Sequence, residues 1–260
     1  MAARPRALVL RAAGTNCDVE TAFAFELAGA KSSVEHVNRL ADRSVRLGDF
    51  QILAVPGGFS YGDDLGAGKI LALELERRLG GELRQFVSRG GLVIGICNGF
   101  QVLVKTGILP GNDGLAPGAA VTLAPNDSQR YEDRWVWLQV LDTPCVWIRP
   151  GGRLLELPVA HGEGKFLPAS EDVLAALRAG RQVALRYVRA DGSEASYPEN
   201  PNGSVWGVAG ITDPSGRVLG LMPHPERYIL RRQHPRWTRG EGRDRGDGCE
   251  FFENAVRALA

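Results

Sequence analysis

The sequence at residues 90–101 is GGLVIGICNGFQ, and it carries the clearest signal of the fold class. Two glycines lead into the most hydrophobic run of the chain, residues 92–96, which predicts a buried strand. Cys97 follows at once, and residues 98–106 have the pattern of a helix. The order of strand, tight turn and helix is typical of an α/β protein whose turn displays its central side chain. We therefore expect Cys97 to lie at the end of a central strand.

Strand and helix patterns alternate through the rest of the first half. The predicted strands cover residues 7–10, 33–37, 51–55 and 92–96, and the predicted helices cover residues 19–28, 70–79, 82–88 and 98–106. Gly29 is the expected C-cap of the first helix. This alternation indicates an α/β fold with a mainly parallel sheet flanked by helices.

The second half predicts a mixed or antiparallel extension of that sheet. Its strand-like segments, rich in Trp and Val, cover residues 135–140, 146–148, 155–160, 183–188, 204–211 and 218–221. Residues 213–216 have the composition of a type I turn, and Asp247 and Glu250 have capping-box spacing before the last helix. Since no linker or repeat interrupts the pattern, we expect one domain over residues 1–260.

Composition excludes several classes of protein. The 260 residues include 31 Lys and Arg against 30 Asp and Glu, a net charge of +1, which argues against a nucleic-acid partner. The chain has neither a long apolar run nor a secretory segment, and its four scattered cysteines form no CxxC motif. We therefore expect a cytoplasmic protein with reduced thiols and no membrane partner.

Charge is nevertheless unevenly distributed. Residues 227–245 contain seven arginines against Glu241 and Asp244, a local net charge of +5. Two interpretations stay open for this Arg-rich segment: a solvated surface, or a patch that docks a partner protein.

The stretch from Gly95 to Gly99 matches a nucleophile elbow in which cysteine replaces serine. The flanking glycines permit a tight turn, and the amino end of the following helix favours the thiolate, which is the attacking form. The N–H of Asn98 can also donate to an oxyanion. The alternative is a structural cysteine between two glycines; the other cysteines (Cys17, Cys145 and Cys249) lack the elbow and are interpreted as structural.

A nucleophile of this kind needs a base, and His224 is the candidate. It lies between two prolines, which favour an extended backbone, and in an extended chain Glu226 would lie on the same side. A carboxylate beside the imidazole fixes its tautomer and stabilises its protonated form. The alternative is a surface turn, and the presence of the elbow at Cys97 makes the catalytic interpretation the stronger one.

Two glycine-rich stretches follow predicted strands. Residues 56–64 have paired glycines that allow backbone amides to approach a ligand, but they match neither GxGxxG nor a phosphate-binding loop, so we assign no nucleotide site. Residues 159–166 can shape a pocket. A metal site at His161 and Glu163 lacks a third ligand at suitable spacing, and we expect none.

Taken together, the motifs resemble the class I glutamine amidotransferases. Within that class they are most similar to the glutamine amidotransferase subunits of phosphoribosylformylglycinamidine synthase, through the stretches at residues 14–18, 56–63, 95–101, 158–166, 202–204 and 222–227. The elbow and the His-x-Glu pair indicate the class, whereas GGFSYGD, CNGFQ and AHGEG indicate the purine enzyme. The resemblance covers nearly the whole chain and implies a flavodoxin-like fold.

The resemblance also implies roles for individual residues. Cys97 corresponds to the nucleophile, His224 to the base and acid, and Glu226 to the residue that orients His224. The residues that it places around the oxyanion and the bound glutamine are Gly57, Gly58, Phe59, Asn98, Gln101, His161 and Gly162. The sequence departs from the family at Ala13, where proline often precedes the first glycine, and in its longer Arg-rich segment.

By the same resemblance, the chain hydrolyses glutamine through a cysteine thioester and supplies ammonia to a larger synthetase subunit. That partner is expected to bind ATP and magnesium and to convert formylglycinamide ribonucleotide to formylglycinamidine ribonucleotide, while this chain needs no cofactor. Some members of the family assemble with a further small subunit. Two rival interpretations remain: a hydrolase or stress protein of related fold with a cysteine elbow, and a catalytically silent subunit.

Overall fold

The computed structural model describes residues 4–111 and 119–259. The first half contains β1 (Arg6–Arg11), α1 (Asp18–Ala28), β2 (Lys31–His36), α2 (Val37–Ala41), β3 (Ile52–Val55), α3 (Lys69–Ser88), β4 (Leu92–Ile96) and α4 (Asn98–Lys105). The second half contains β5 (Val121–Pro125), β6 (Glu132–Val140), β7 (Leu154–His161), β8 (Glu163–Pro168), α5 (Glu171–Ala179), β9 (Val183–Val188), β10 (Val208–Thr212), β11 (Val218–Leu221) and α6 (Cys249–Arg257).

In these ranges the central feature is a nine-stranded sheet with the order β2-β1-β3-β4-β11-β10-β9-β6-β7. The first five strands in that order are parallel, and the remaining four are joined to them and to each other by antiparallel pairing. The prediction of a mainly parallel sheet with an antiparallel extension is confirmed. Strands β5 and β8 form a separate antiparallel pair.

The helix prediction was wrong at one place, because α3 is continuous where two helices had been predicted. The two glycines at positions 80 and 81 lie inside it. Leu71, Leu75, Leu79, Leu83 and Phe86 form one buried stripe along its length. Glycine costs about 1 kcal/mol relative to alanine in a helix interior, and burial of this stripe offsets that cost. Gly29 has φ 99° and ends α1, as predicted.

Three strand predictions need correction. Residues 146–148 form a turn, in which the buried Trp147 indole donates to the backbone oxygen of Arg217 at 2.9 Å. The strand predicted at 204–211 begins only at Val208, after a 3-10 turn, and the strand predicted at 33–37 ends at His36. In each case the β-branched or aromatic residues are used for packing rather than for strand pairing.

Some elements went unpredicted, and one cap was wrong. The pair β5–β8 and helices α2 and α5 were missed, although Ser170 caps α5 through a bond from the N–H of Val173. Asp247 does not cap α6. Its carboxylate accepts from the N–H of Glu156 and pairs with Arg243, while Glu250 pairs with Arg153.

The sheet order places the carboxyl ends of four parallel strands at one edge of the fold. The carboxyl ends of β1, β3, β4 and β11 lie at the same edge, because these strands are parallel. The antiparallel half curls back to this edge, since the oxygen of Pro158 in β7 accepts from the N–H of His224 at 2.8 Å. This edge is therefore where ligands are expected to bind. Within the described ranges, no helix has both the length and the apolar character to cross a membrane.

Candidate active site

Cys97 occupies a strained turn between β4 and α4. Its backbone has φ 51° and ψ −106°, a conformation that L-residues rarely adopt. The turn is this tight because its flanking glycines have no Cβ. A Cβ at Gly95 would lie 2.6 Å from the oxygen of Gly99, and one at Gly99 would collide with the oxygen of Val55. The predicted elbow is therefore present, and its glycines are required by close backbone packing.

His224 and Glu226 form a buried pair beside the elbow. The Nδ1 atom of His224 lies 2.6 Å from Oε1 of Glu226, and both side chains are almost completely buried. The predicted proximity is present, but its cause differs from the prediction. Glu226 reaches His224 through a 3-10 turn over Pro225–Arg227 and not along an extended strand. The pair leaves Nε2 of His224 without a hydrogen-bond partner among the described residues.

The electrostatics of the pair favour a protonated imidazole. Burial alone would lower the pKa of His224, but the Glu226 carboxylate, with contributions from Cys97 and Cys17, outweighs burial and raises this pKa well above its usual value. The carboxylate therefore stabilises the imidazolium that forms when His224 accepts a proton. This is the electrostatic condition for a base that later acts as an acid.

The side chains of His224, Cys17 and Cys97 all lie close to Gly57. An added Cβ at this position would lie 2.7 Å from Cε1 of His224, 3.2 Å from Sγ of Cys17 and 3.4 Å from Cβ of Cys97. The three side chains thus surround one glycine. In addition, Sγ of Cys97 lies 3.6 Å from the backbone oxygen of Ala160, at the end of β7.

Cys17 also lies at this site, a position that its residue pattern did not predict, and its interpretation as a structural cysteine stays a prediction. Its Sγ lies 3.9 Å from Nδ1 of His224 and accepts a hydrogen bond from Nη2 of Arg227 at 3.0 Å. Burial, its largest influence, raises the pKa of the Cys17 thiol. One signal could have located it: Cys17 follows a strand that is parallel to β4, so it ends at the same edge.

The backbone donors around Cys97 come from two loops. Asn98 is the first residue of α4, and its N–H has no partner within the helix. Gly58 has φ 133°, and a Cβ there would lie 2.7 Å from the nitrogen of Asn16. The N–H of Phe59, by contrast, donates to the oxygen of Gly14. Gly58 and Asn98 therefore remain as candidate oxyanion donors. The half-exposed Phe59 ring lies near Tyr131, and we call the opening beside these two rings the mouth of the active site.

The side chains of Asn98 and Gln101 are occupied by hydrogen bonds that position loops. Asn98 donates to Asp63 at 2.9 Å and accepts from Ser60 at 2.6 Å. Gln101 donates to the backbone oxygen of Glu163 at 2.8 Å. These bonds tie α4 to the glycine-rich loop on one side and to the β7–β8 turn on the other. Ser60 and Asp63 lie in the GGFSYGD stretch, but their bonds to Asn98 were not predicted.

His161 is buried in a polar cluster behind the elbow. Its Nδ1 lies 3.1 Å from Oδ1 of Asn126, whose amide donates to the backbone oxygen of His161. Burial, with a smaller contribution from the charge of His224, lowers the pKa of His161 to about 3. His161 is thus neutral across the physiological range. Gly162 lies in the turn that follows, where an added Cβ would be 3.8 Å from Tyr131.

One group of potential metal ligands occurs in the described ranges around this site. Atoms of Cys17, His224 and Glu226 lie within 4.8 Å of one another. The hydrogen bond between His224 and Glu226 occupies Nδ1, and the Arg227 guanidinium lies against Cys17. A fixed positive charge and an occupied imidazole nitrogen both disfavour a cation, so this group fits a catalytic pair better than a metal centre.

The chain is similar to known glutamine amidotransferases. A family model described as a CobB/CobQ-like glutamine amidotransferase domain matches residues 4–258. A protein of Dehalococcoides mccartyi named phosphoribosylformylglycinamidine synthase subunit PurQ is 50% identical over 254 residues, which are 97% of this chain and 96% of that protein. A Treponema denticola protein of the same name is 44% identical over 245 residues, 88% of this chain and 90% of that protein.

The chain is also similar to solved structures. The structure of PurLQS from Thermotoga maritima matches with a TM-score of 0.75 and 31% identity, covering 99% of this chain and 100% of that chain. A glutamine amidotransferase from Thermotoga maritima matches with a TM-score of 0.53 and 14% identity, covering 99% of this chain and 95% of that one. At 14% identity, this second similarity supports the fold alone.

Proposed function

The chain belongs to the PurQ subunits of phosphoribosylformylglycinamidine synthase, and we propose that it hydrolyses glutamine with Cys97, His224 and Glu226. It is a glutamine amidotransferase of de novo purine biosynthesis that works with a synthetase subunit. The observation that carries the catalytic assignment is the buried His224–Glu226 pair, 2.6 Å apart, beside the strained elbow of Cys97.

In the first half of the reaction, the proton of Cys97 resides on His224, as the raised pKa of His224 favours, and the Cys97 thiolate attacks the side-chain carbonyl of glutamine. Backbone N–H groups at Gly58 and Asn98 stabilise the resulting oxyanion. The imidazolium of His224, stabilised by Glu226, then gives its proton to the departing nitrogen. The carbon–nitrogen bond breaks, ammonia leaves, and a glutamyl thioester remains on Cys97.

The second half restores the enzyme. His224, now neutral, removes a proton from water, and the oxygen of that water attacks the thioester. Glutamate departs as the carbon–sulfur bond breaks, and the Cys97 sulfur recovers its proton from His224. One glutamine and one water thus give one glutamate and one ammonia, with no cofactor in this chain.

The substrate pocket is proposed around the same edge of the sheet. Gly57 leaves room for the reacting carbon between Cys97 and His224. Phe59 forms part of the mouth, while Gln101, His161 and Gly162 shape the wall formed by the β7–β8 turn. Because the polar atoms of Gln101 are engaged by the protein, we propose that this residue acts mainly by positioning that wall.

The ammonia is proposed to pass to the larger synthetase subunit. That subunit would use ATP and magnesium to convert formylglycinamide ribonucleotide to formylglycinamidine ribonucleotide, and some assemblies would include a small third subunit. Direct transfer matters because ammonia that is protonated in water no longer acts as a nucleophile. We place the complex in the cytoplasm, where Cys97 stays a reduced thiol.

The test is the Cys97→Ala variant assembled with its synthetase. Glutamate release from glutamine should fall by at least about 10³-fold, because the thioester cannot form. Synthesis supported by added ammonium chloride should persist, since it bypasses this chain. Glutaminase activity surviving in Cys97→Ala would contradict the mechanism, and a wild-type complex that releases no glutamate would favour a silent subunit.

A further inference from the structure

Helix α1 presents an exposed apolar stripe, which we call the α1 stripe. It consists of Val19, Phe23 and Leu27, spaced four residues apart on one helix face and exposed by 63%, 46% and 46%. The opposite face of α1 is buried, with Phe25 packed edge-on against Phe252 of α6 at 4.9 Å between ring centroids. Nothing in the packing of the described chain explains why three consecutive turns of α1 expose large apolar side chains.

The α1 stripe begins at the active site. Helix α1 starts one residue after Cys17, and Glu20 in its first turn pairs with Arg227, the residue that follows Glu226. From there the stripe extends about 12 Å along the helix, at 1.5 Å per residue. The amino-terminal end of the stripe therefore lies at the edge of the sheet where Cys97 and His224 are found.

Exposed apolar side chains also occur in the loops at this edge. Phe59 and Leu65 belong to the loop after β3 and are 44% and 66% exposed, and Tyr131 lies beside Phe59. Three side chains on one helix are too few for a stable interface, which buries about 800 Å² per partner. The α1 stripe and these loop residues all lie at the active-site edge of the sheet, and several exposed apolar side chains at one edge are typical of a surface that contacts another protein.

The Arg-rich segment is the competing candidate for a docking surface. Most of its arginines, however, form ion pairs with carboxylates of the same chain. Five of its seven arginines pair with carboxylates of this protein: Arg227 with Glu20, Arg231 with Asp244, Arg236 with Glu241, Arg243 with Asp247 and Arg245 with Glu253. A segment neutralised in this way offers little net attraction to an acidic partner. This pairing favours the solvated-surface interpretation of the segment.

We propose that the α1 stripe, which begins beside the active site, is where the synthetase subunit docks on this chain. The proposal rests on the proposed function, because ammonia formed at Cys97 has to enter the partner before it reaches water. A partner that covers the mouth would also lie against the first turn of α1. If the partner's surface is apolar there, it would bury the α1 stripe as well as the mouth. Aromatic and aliphatic anchors such as Phe23 are typical of interface centres.

The experiment compares two variants of similarly exposed aromatic residues. Phe23→Asp disrupts the α1 stripe, whereas Trp237→Asp alters a 47% exposed residue within the Arg-rich segment. Binding to the synthetase is measured by analytical ultracentrifugation, and glutaminase activity is measured on each free chain. We expect Phe23→Asp to weaken binding by at least about tenfold while its free-chain glutaminase stays unchanged, and Trp237→Asp to bind as wild type does.

Two results would overturn the proposal. Undiminished binding of Phe23→Asp would remove the α1 stripe from the interface, and weakened binding of Trp237→Asp alone would assign docking to the Arg-rich segment. Leu27→Ala, a milder change on the same stripe, guards against misfolding of Phe23→Asp and should weaken binding less. Since glutaminase is measured separately, failure of docking and failure of the proposed catalysis give different results.

Discussion

Cys97 shows how local sequence can specify a reactive geometry. Its φ of 51° is unfavourable for any residue with a Cβ, and the conformation persists because β4 and α4 hold it from both sides. Gly95 and Gly99 make that arrangement possible, since a side chain at either position would meet backbone atoms. The elbow motif spans five consecutive residues, which is why the sequence predicted it, and the approach of Val55 in β3 adds a tertiary reason for glycine at position 99.

Gly57→Ala tests the packing of the reactive side chains at this scale. The new methyl group would lie 2.7 Å from Cε1 of His224 and would push the imidazole away from Cys97. A displacement of about 1 Å can cost about 10²-fold in rate, so we expect kcat to fall by that order with the fold retained. Steady-state glutaminase kinetics and circular dichroism measure the two effects, and an unchanged kcat would contradict the packing.

Glu226→Gln tests the electrostatics of His224. With the carboxylate removed, burial dominates and the pKa of His224 falls, so the imidazolium is lost at lower pH. We expect the alkaline limb of kcat to shift to lower pH and activity to decrease by about 10²- to 10⁴-fold. The matched control is Glu20→Gln, which removes a carboxylate that pairs with Arg227 and should leave the pH profile in place.

The same pair contributes to stability with a defined sign. Because the pKa of folded His224 lies above the unfolded value of about 6.5, the contribution is complete below that pH and is lost as pH rises through the folded pKa. The difference in free energy of unfolding between wild type and Glu226→Gln should therefore shrink with rising pH. A difference that grows with pH would mean that His224 is not protonated in the folded protein.

At the scale of elements, the sequence located most strands and helices but misjudged those that depend on tertiary packing. The predicted break in α3 followed from the low helix propensity of Gly80 and Gly81. Burial of the stripe from Leu71 to Phe86 outweighs this propensity. Conversely, the Val-Trp-Ile run at residues 146–148 predicts a strand but instead forms a turn whose Trp147 and Ile148 are buried.

Gly81→Ala measures the propensity cost in α3. An added methyl at position 81 meets no atom within 4 Å, so we expect a gain of about 0.5–1 kcal/mol in the free energy of unfolding. Gly80→Ala is the matched comparison, because its methyl group would lie 3.0 Å from Arg84 and 3.1 Å from Glu76. Urea denaturation should show a smaller gain in the free energy of unfolding at position 80. Equal gains would mean that the side chains of Arg84 and Glu76 move aside without a measurable cost.

At the scale of the whole molecule, the nine-stranded sheet joins both halves of the chain. Strand β11 of the second half pairs with β4 of the first, and β7 reaches the active site from the far end of the sheet order. This continuity supports the proposal that residues 1–260 act as one domain. It also means that the catalytic residues come from both halves, since Cys97 follows β4 and His224 follows β11.

This connection predicts cooperative unfolding. All five tryptophans lie between residues 135 and 237, so their fluorescence reports on the second half, whereas the long helix α3 contributes to far-UV circular dichroism from the first. We expect both probes to give the same urea midpoint. Midpoints that differ by more than the fitting error would divide the chain into two independently unfolding units.

The fold class, the elbow at Cys97 and the nearness of Glu226 to His224 could be predicted from the sequence, because alternating patterns, a five-residue motif and a two-residue separation are all visible along the chain. The approach of Cys17 to within 3.9 Å of His224, and that of Ala160 in β7 to Cys97, arise only in the folded chain. Those approaches depend on which strand ends share an edge and on how the antiparallel half curls back. Burial of the whole sheet sets both, and spacing along the chain does not encode them.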